Sequence, residues 1–129
     1  MFHLGNVDIL LLSNNDFYPF KKQQSLLAMT AHIVYRAIDN KNSATHSKKV
    51  IKIIREKIGY KNLIVSDDIS MKALKYSTLK NTTQAFKAGC NLVLHCNGNF
   101  NEMLIVAKNS PLLSNFVIKK TSQLLNIIG

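Results

Sequence analysis

Two adjacent carboxylates, Asp67 and Asp68, follow directly on Leu63-Ile64-Val65-Ser66 within the run Asn62 to Ala73. Three consecutive large apolar residues between polar flanks fit a short buried strand and are too few for a helix. Such a strand delivers the two acids at its C-terminal end. In barrels of alternating strands and helices that end is the open face, where catalytic groups gather on the βα loops. A carboxylate held there has the chemistry of a retaining glycosidase nucleophile, which attacks an anomeric carbon and forms an ester that water later cleaves. The bland alternative for Asp67 is an N-cap for a helix starting near Ile69. Asp68 is expected to hydrogen-bond the turn that follows.

Other residues with chemical potential are thinly spread. The four histidines are His3, His32, His46 and His95. His32 falls at the end of an apolar stretch, where a hydrogen-bonded structural role outweighs a catalytic one. His95 is expected in packing or in its loop, and Tyr35 and Arg36 on an exposed βα loop. Cys90 and Cys96 flank an extended segment rising about 3.3 Å per residue. That separation exceeds the Cα distance of about 7 Å that a disulfide tolerates, so both are read as buried free thiols. No second pair of ligands stands at zinc spacing, so no metal is expected.

The elements that must position these groups alternate along the chain. Strands are expected at about 26 to 34, 62 to 67 and 91 to 96, with a further one over Val7 to Leu12. A helix over 46 to 58 starts behind Thr45 and stops at Gly59. A second, over 78 to 88, is capped by the Ser77-Thr78 pair and ends at Gly89. A third covers 100 to 108 and stops before Pro111. The last, over 112 to 127, places Leu113, Phe116, Val117, Leu124 and Ile128 on one stripe. The polar stretch Asp39 to Ser43 reads as a βα loop. Strand–helix alternation of this kind is an α/β pattern, a parallel sheet covered by helices.

The chain has 129 residues. That suits one domain but is about half of the roughly 250 residues that a closed eight-unit barrel takes. The apolar run near the N-terminus is too short to span a bilayer and lacks a basic n-region, so a soluble, cytoplasmic protein without membrane contact is expected. Net charge is +10, from 17 Lys+Arg against 7 Asp+Glu. Arg36 and Arg55 are its sole arginines, the lysines are scattered over several helices, and Asn and Ile abound. Base-reading surfaces favour the guanidinium fork, so the charge is assigned to an AT-rich coding bias, with no nucleic-acid partner.

Three blocks carry a family resemblance. The run Val65-Ser66-Asp67-Asp68-Ile69-Ser70-Met71-Lys72-Ala73 resembles the nucleophile segment, Ser/Thr-Asp-Asp/Ala-Leu-x-Met-x-Ala, of bacterial β-N-acetylhexosaminidases in glycoside hydrolase family three. Upstream, Met29-Thr30-Ala31-His32-Ile33-Val34-Tyr35 and Ala44-Thr45 are similar to that family's Met-x-Ala-His-Val-x-Tyr and Pro-Ala-Thr. Downstream, Ala88-Gly89-Cys90-Asn91-Leu92-Val93-Leu94-His95-Cys96-Asn97 resembles its Ala-Gly-Cys-Asp-x-Val-Leu-x-Cys-Asn. The blocks stand in the family's order and cover roughly residues 15 to 110.

The resemblance implies a partial (β/α)8 TIM barrel made of the later βα units only, with residues 15–129 as the C-terminal part of the catalytic barrel and 1–14 unmatched. It implies retaining hydrolysis of terminal β-linked N-acetylglucosamine in muropeptide-type substrates of peptidoglycan recycling. Asp67 occupies the nucleophile position. Met71 would wall the sugar pocket, or else pack beneath the loop. No cofactor is implied, since two side chains and water suffice. The family's acid/base segment, Lys-His-Phe-Pro-Gly-His-Gly-Asp, is not found here. The chain therefore reads as a fragment needing a partner chain for the N-terminal half-barrel, and as inactive in isolation. Two alternatives stay open: a non-catalytic remnant of a split gene, and a basic binding module.

Overall fold

The structure, a computed structural model, describes residues 2–4, 17–22 and 25–129. Among the described residues there are five strands: β1 (Phe2–Leu4), β2 (Leu27–Met29), β3 (Ile33–Tyr35), β4 (Leu63–Asp68) and β5 (Leu92–Leu94). Four α-helices of the described residues follow the expected order: α1 (Lys48–Glu56), α2 (Thr78–Ala88), α3 (Phe100–Asn109) and α4 (Asn115–Ile128). Short 3-10 turns occupy Tyr18–Lys22 and Ala44–His46. All pairings are parallel: β2-β4-β5 form one sheet and β1-β3 another. Parallel neighbours need a crossover, and α1 and α2 supply those into β4 and β5. The expected α/β alternation is what the chain builds.

Several boundaries differ, each for a local reason. The expected strand over 26 to 34 is two strands, broken at Thr30–His32. There the side chains of Thr30 and His32 both turn to Thr45, at 2.9 and 3.0 Å, which diverts the chain from a continuous ladder. Thr45 is therefore not the cap of α1. Ser47 is, accepting the Val50 N–H at 3.3 Å. α2 has its expected bounds, with Ser77 accepting the Lys80 N–H. It closes at Gly89 with φ +116°, where a Cβ would stand 2.9 Å from Ile51 Cγ2, so both the left-handed backbone and the contact with α1 require glycine. No helix begins near Ile69; turns run from there to α2. The expected strand over Val7 to Leu12 lies outside the described residues.

The core sits between β4 and the first two helices. Ile64 packs with Ile51, Tyr60, Ala85, Ala88 and Cys90, and with the partly buried Ala28, Ile54, Ile58 and Val93. Leu63, Ile64, Val65 and Ser66 are buried in succession, as in a central parallel strand covered on both faces. At the N-terminal end of β4, Arg55 donates to the carbonyls of Tyr60 (3.0 Å) and Asn62 (2.6 Å) and to Asn91 Oδ1 (2.7 Å). Asn91 Oδ1 also accepts the Ile64 N–H at 2.9 Å, so one guanidinium ties the start of β4 to the start of β5. The stripe expected on the last helix is not buried: Val117 is, Leu124 is half-buried, and Leu113, Phe116 and Ile128 are exposed. An apolar stripe is covered only where another part of the chain faces it, and among the described residues that holds on α4 fully at Val117 alone. No helix of the described residues is long and apolar enough to cross a membrane.

Candidate active site

The C-terminal tips of β2, β4 and β5 converge on the acids singled out from the sequence. β4 carries one more residue than its neighbour there, since Val65 pairs with Leu92 while Asp68 pairs with Leu94. Such a bulge breaks the regular ladder and re-aims the side chains around it. The Leu94 N–H donates at 3.0 Å to the hydroxyl of Ser66, a fully buried side chain. The bulge is thus held by a serine that can accept a bond where an apolar strand residue could not.

The two carboxylates differ sharply. Asp68 accepts from the Ser70 N–H at 2.9 Å, from the Ser70 hydroxyl at 2.7 and 2.8 Å on its two oxygens, and from the Cys96 N–H at 3.1 Å. Burial by itself would raise its pKa, but these bonds and nearby His95 outweigh it and hold the carboxyl below its ordinary range. Asp68 is spent on the turn, as expected. Asp67 is half-buried, and a single hydrogen bond reaches its carboxylate among the described residues, from the Asp68 N–H to Oδ1 at 2.8 Å. One oxygen is oriented by the backbone; the other is left for an outside partner. This is a posture in which a carboxylate can attack rather than support.

Around these acids the remaining candidates fall into place. Met71 is 45% exposed on the turn beyond Asp67, its N–H bonded to the Asp68 carbonyl at 3.2 Å, so it stands beside the acids rather than packed beneath them. His32 is buried and has both ring nitrogens engaged. His95 Nε2 lies 2.9 Å from Glu102 Oε2, whose carboxylate also accepts from Asn97 Nδ2 at 2.7 Å. That contact is the leading cause holding the Glu102 carboxyl low. His46 is buried as well, and burial is the main cause pushing its imidazole pKa down. Arg36 is exposed.

The cysteines divide. Cys90 is buried, which pushes its thiol up to about 11. Cys96 is exposed rather than buried, because β5 ends at Leu94 and the chain turns into a loop. Its thiol is also raised, first by desolvation and then by the negative charges of Asp68 and Asp67. Among the described residues no group of three or more His, Cys, Asp and Glu is arranged to hold a metal.

A hollow of about 600 Å³ lies away from the acids, along β2 and α1, and is lined by apolar residues including Phe17, Phe20, Met29, Ile54 and Tyr60. The Tyr60 hydroxyl is already committed to the Ser25 and Leu63 carbonyls. The two acids therefore stand on an open rim of strand tips, outside this hollow. What sequence reasoning missed is the use made of Thr45 and His32: they meet Thr30 and the Asp68 carbonyl across up to 36 positions of sequence, a distance no local pattern encodes.

Residues 4–126 match the family model described as the glycosyl hydrolase family 3 N terminal domain. A beta-hexosaminidase of Psychromonas ingrahamii is 29% identical over 120 residues, which is 88% of this chain and 34% of that protein. The structure of NagZ from Neisseria gonorrhoeae in complex with zinc ion is similar with a TM-score of 0.75 and 27% identity, covering 92% of this chain and 34% of that one. CbsA from Thermotoga neapolitana is similar with a TM-score of 0.75 and 25% identity, covering 99% of this chain and 32% of its own. The matches span from 20% to about a third, 34%, of the length of these curated relatives.

Proposed function

The chain belongs to glycosyl hydrolase family 3, and from that premise we propose that it forms the nucleophile-bearing part of a retaining β-N-acetylhexosaminidase barrel. Asp67 attacks the anomeric carbon of a terminal β-linked N-acetylglucosamine; the aglycone leaves with the bonding electrons, and water then cleaves the Asp67 ester. Met71, exposed on the same turn, contacts the sugar. Muropeptides are the substrate class, which fits a cytoplasmic place in peptidoglycan recycling. The observation that carries this reading is the asymmetry of the acids: Asp68 is bound by three donors, the Ser70 N–H and hydroxyl and the Cys96 N–H, and Asp67 by one.

Protonation of a poor leaving group needs an acid. His32, His46 and His95 are all turned into the protein, the first and last onto protein partners. That none of these three is placed as an acid supports the reading that a partner chain supplies the acid/base with the N-terminal half-barrel. An activated aryl leaving group needs no such help, because its low pKa lets it depart unprotonated. Incubation with 2,4-dinitrophenyl β-N-acetylglucosaminide should release dinitrophenolate and leave a glycosyl ester on the peptide carrying Asp67, detected by mass spectrometry. Asp67→Asn should give neither. Release that persists in that variant, or an ester on Asp68, would refute the assignment. Silence from the wild type would favour the non-catalytic remnant.

A further inference from the structure

His32 is a buried titratable group to which the proposed chemistry gives no task, yet it touches the backbone that carries the candidate nucleophile. We infer that His32 is a positioning residue, whose imidazole fixes the peptide unit behind Asp67 and so aims that carboxylate. The inference rests on the reading of Asp67 as nucleophile for its consequence, though not for its geometry.

The peptide unit joining Asp68 to Ile69 is held from both sides. Its carbonyl oxygen accepts from His32 Nε2 at 2.8 Å and from the Met71 N–H at 3.2 Å, filling both lone pairs. Its N–H, on Ile69, donates to the Leu94 carbonyl at 2.9 Å, on β5. The turn is thus anchored between the β2–β3 connection and β5. One residue earlier, the Asp68 N–H is the donor that orients Asp67 Oδ1. Motion of residue 68 is therefore motion of the nucleophile's one fixed partner.

The ring itself is set from behind. A carbonyl only accepts, so His32 Nε2 carries a proton, and on the other side of the ring Nδ1 lies 3.0 Å from the Thr45 hydroxyl, which also reaches the Ala31 carbonyl at 3.2 Å. Thr45 is fully buried and lies 2.9 Å from the Thr30 hydroxyl, while the Thr30 N–H donates to the Val65 carbonyl on β4 at 2.9 Å. A closed chain of contacts therefore runs from β4 through Thr30, Thr45 and His32 back to the tip of β4. A supporting shell of this kind is what holds a reactive side chain within a fraction of an ångström of productive geometry. A merely space-filling histidine would not need both nitrogens matched.

The test is backbone amide exchange by NMR on the 129-residue chain, with no substrate present. His32→Leu should speed exchange at Asp68 and Ile69 by roughly tenfold, the loss of about one hydrogen bond's worth of local protection. Amides of α1 and α2 should keep their wild-type rates. His32→Gln, which can present an amide N–H to the same carbonyl, should restore protection to within about threefold of wild type. If His32→Leu fails to fold, Thr45→Val carries the same expectation, since it removes the group that sets the ring. Unchanged exchange at Asp68 and Ile69, a uniform acceleration throughout the chain, or no rescue by Gln would each overturn the inference. None of these readouts depends on turnover, so failure of the hydrolase reading would appear separately, as silence in the dinitrophenyl assay.

Discussion

Ser66 offers the sharpest test of how the site is built. Its hydroxyl is fully buried and accepts the Leu94 N–H at 3.0 Å, where the extra residue of β4 has displaced the usual backbone partner. Ser66→Ala removes one oxygen and almost no volume, so the cavity term is small and the cost is that of an orphaned backbone donor. Leu94 is only half-buried, which places the loss in the middle of the 1–3 kcal/mol range for such a group, at about 2 kcal/mol. For a domain of this size about 1 kcal/mol moves the midpoint by about 4 °C, so Tm should fall by about 8 °C. Thermal and urea unfolding followed by circular dichroism would measure it, with Leu94 amide exchange as the local reporter. Because the bulge lies between Val65 and Asp68, ester formation on Asp67 should slow as well. A loss under about 0.5 kcal/mol, the level of an ordinary surface change, with Leu94 still protected would show that the serine does not hold the bulge.

Three further outcomes follow from the same contacts. Arg55→Met removes three donors from the Tyr60 and Asn62 carbonyls and Asn91 Oδ1; at about 1 kcal/mol each, the value of an ordinary hydrogen bond, taken because the guanidinium is half-exposed, denaturation should show a loss of about 3 kcal/mol, and Arg55→Lys should recover only part of it. Asp68 has a folded pKa below its unfolded value, so its contribution is present above about pH 4 and is lost as pH falls through the lower folded value; acid titration of stability should therefore be shallower in Asp68→Asn, and an unchanged acid limb would sink that assignment. Cys90 is raised to about 11, so its thiol favours folding below the ordinary thiol pKa of about 8.5 and the advantage is lost as pH climbs through the folded value; Cys90→Ala should flatten the alkaline limb, and iodoacetamide should label Cys96 before Cys90.

What could be read from the sequence was whatever depends on near neighbours. The second helix came out with its bounds intact because Ser77 and Gly89 sit at its ends and act there alone. The apolar run before Asp67 gave β4 for the same reason, three residues that need burial and two that end it. Thr45 was misplaced as a helix cap because a buried threonine beside a helix start satisfies the local pattern equally well; its partners, Thr30 and His32, are brought to it only by the fold. The bulge was invisible for a related reason. Ser66 reads as one polar residue in a strand until Leu92 and Leu94 are laid against it. Cys96 looked buried by its place in an extended segment, but the strand stops two residues earlier.

The polar side chains at the two ends of β4 divide their work in a way that bears on which changes will matter. At the N-terminal end, Arg55, Asn62 and Asn91 are joined to backbone groups at and beside the strand starts. At the C-terminal end, the same chain leaves one Asp67 oxygen unanswered and surrounds it with groups that are fully engaged, Asp68 by Ser70 and Cys96, His32 by Thr45 and the Asp68 carbonyl. In strand–helix barrels the first end reads as stability and the second as catalysis. Substitutions at Arg55 should therefore lower the unfolding midpoint while leaving the rate of Asp67 esterification per folded molecule unchanged. Asp67→Asn should do the reverse, because its single contact with the Asp68 N–H is also available to an amide oxygen. Parallel losses in both quantities from Arg55→Met would mean that the strand tips are not rigid enough to separate the two roles.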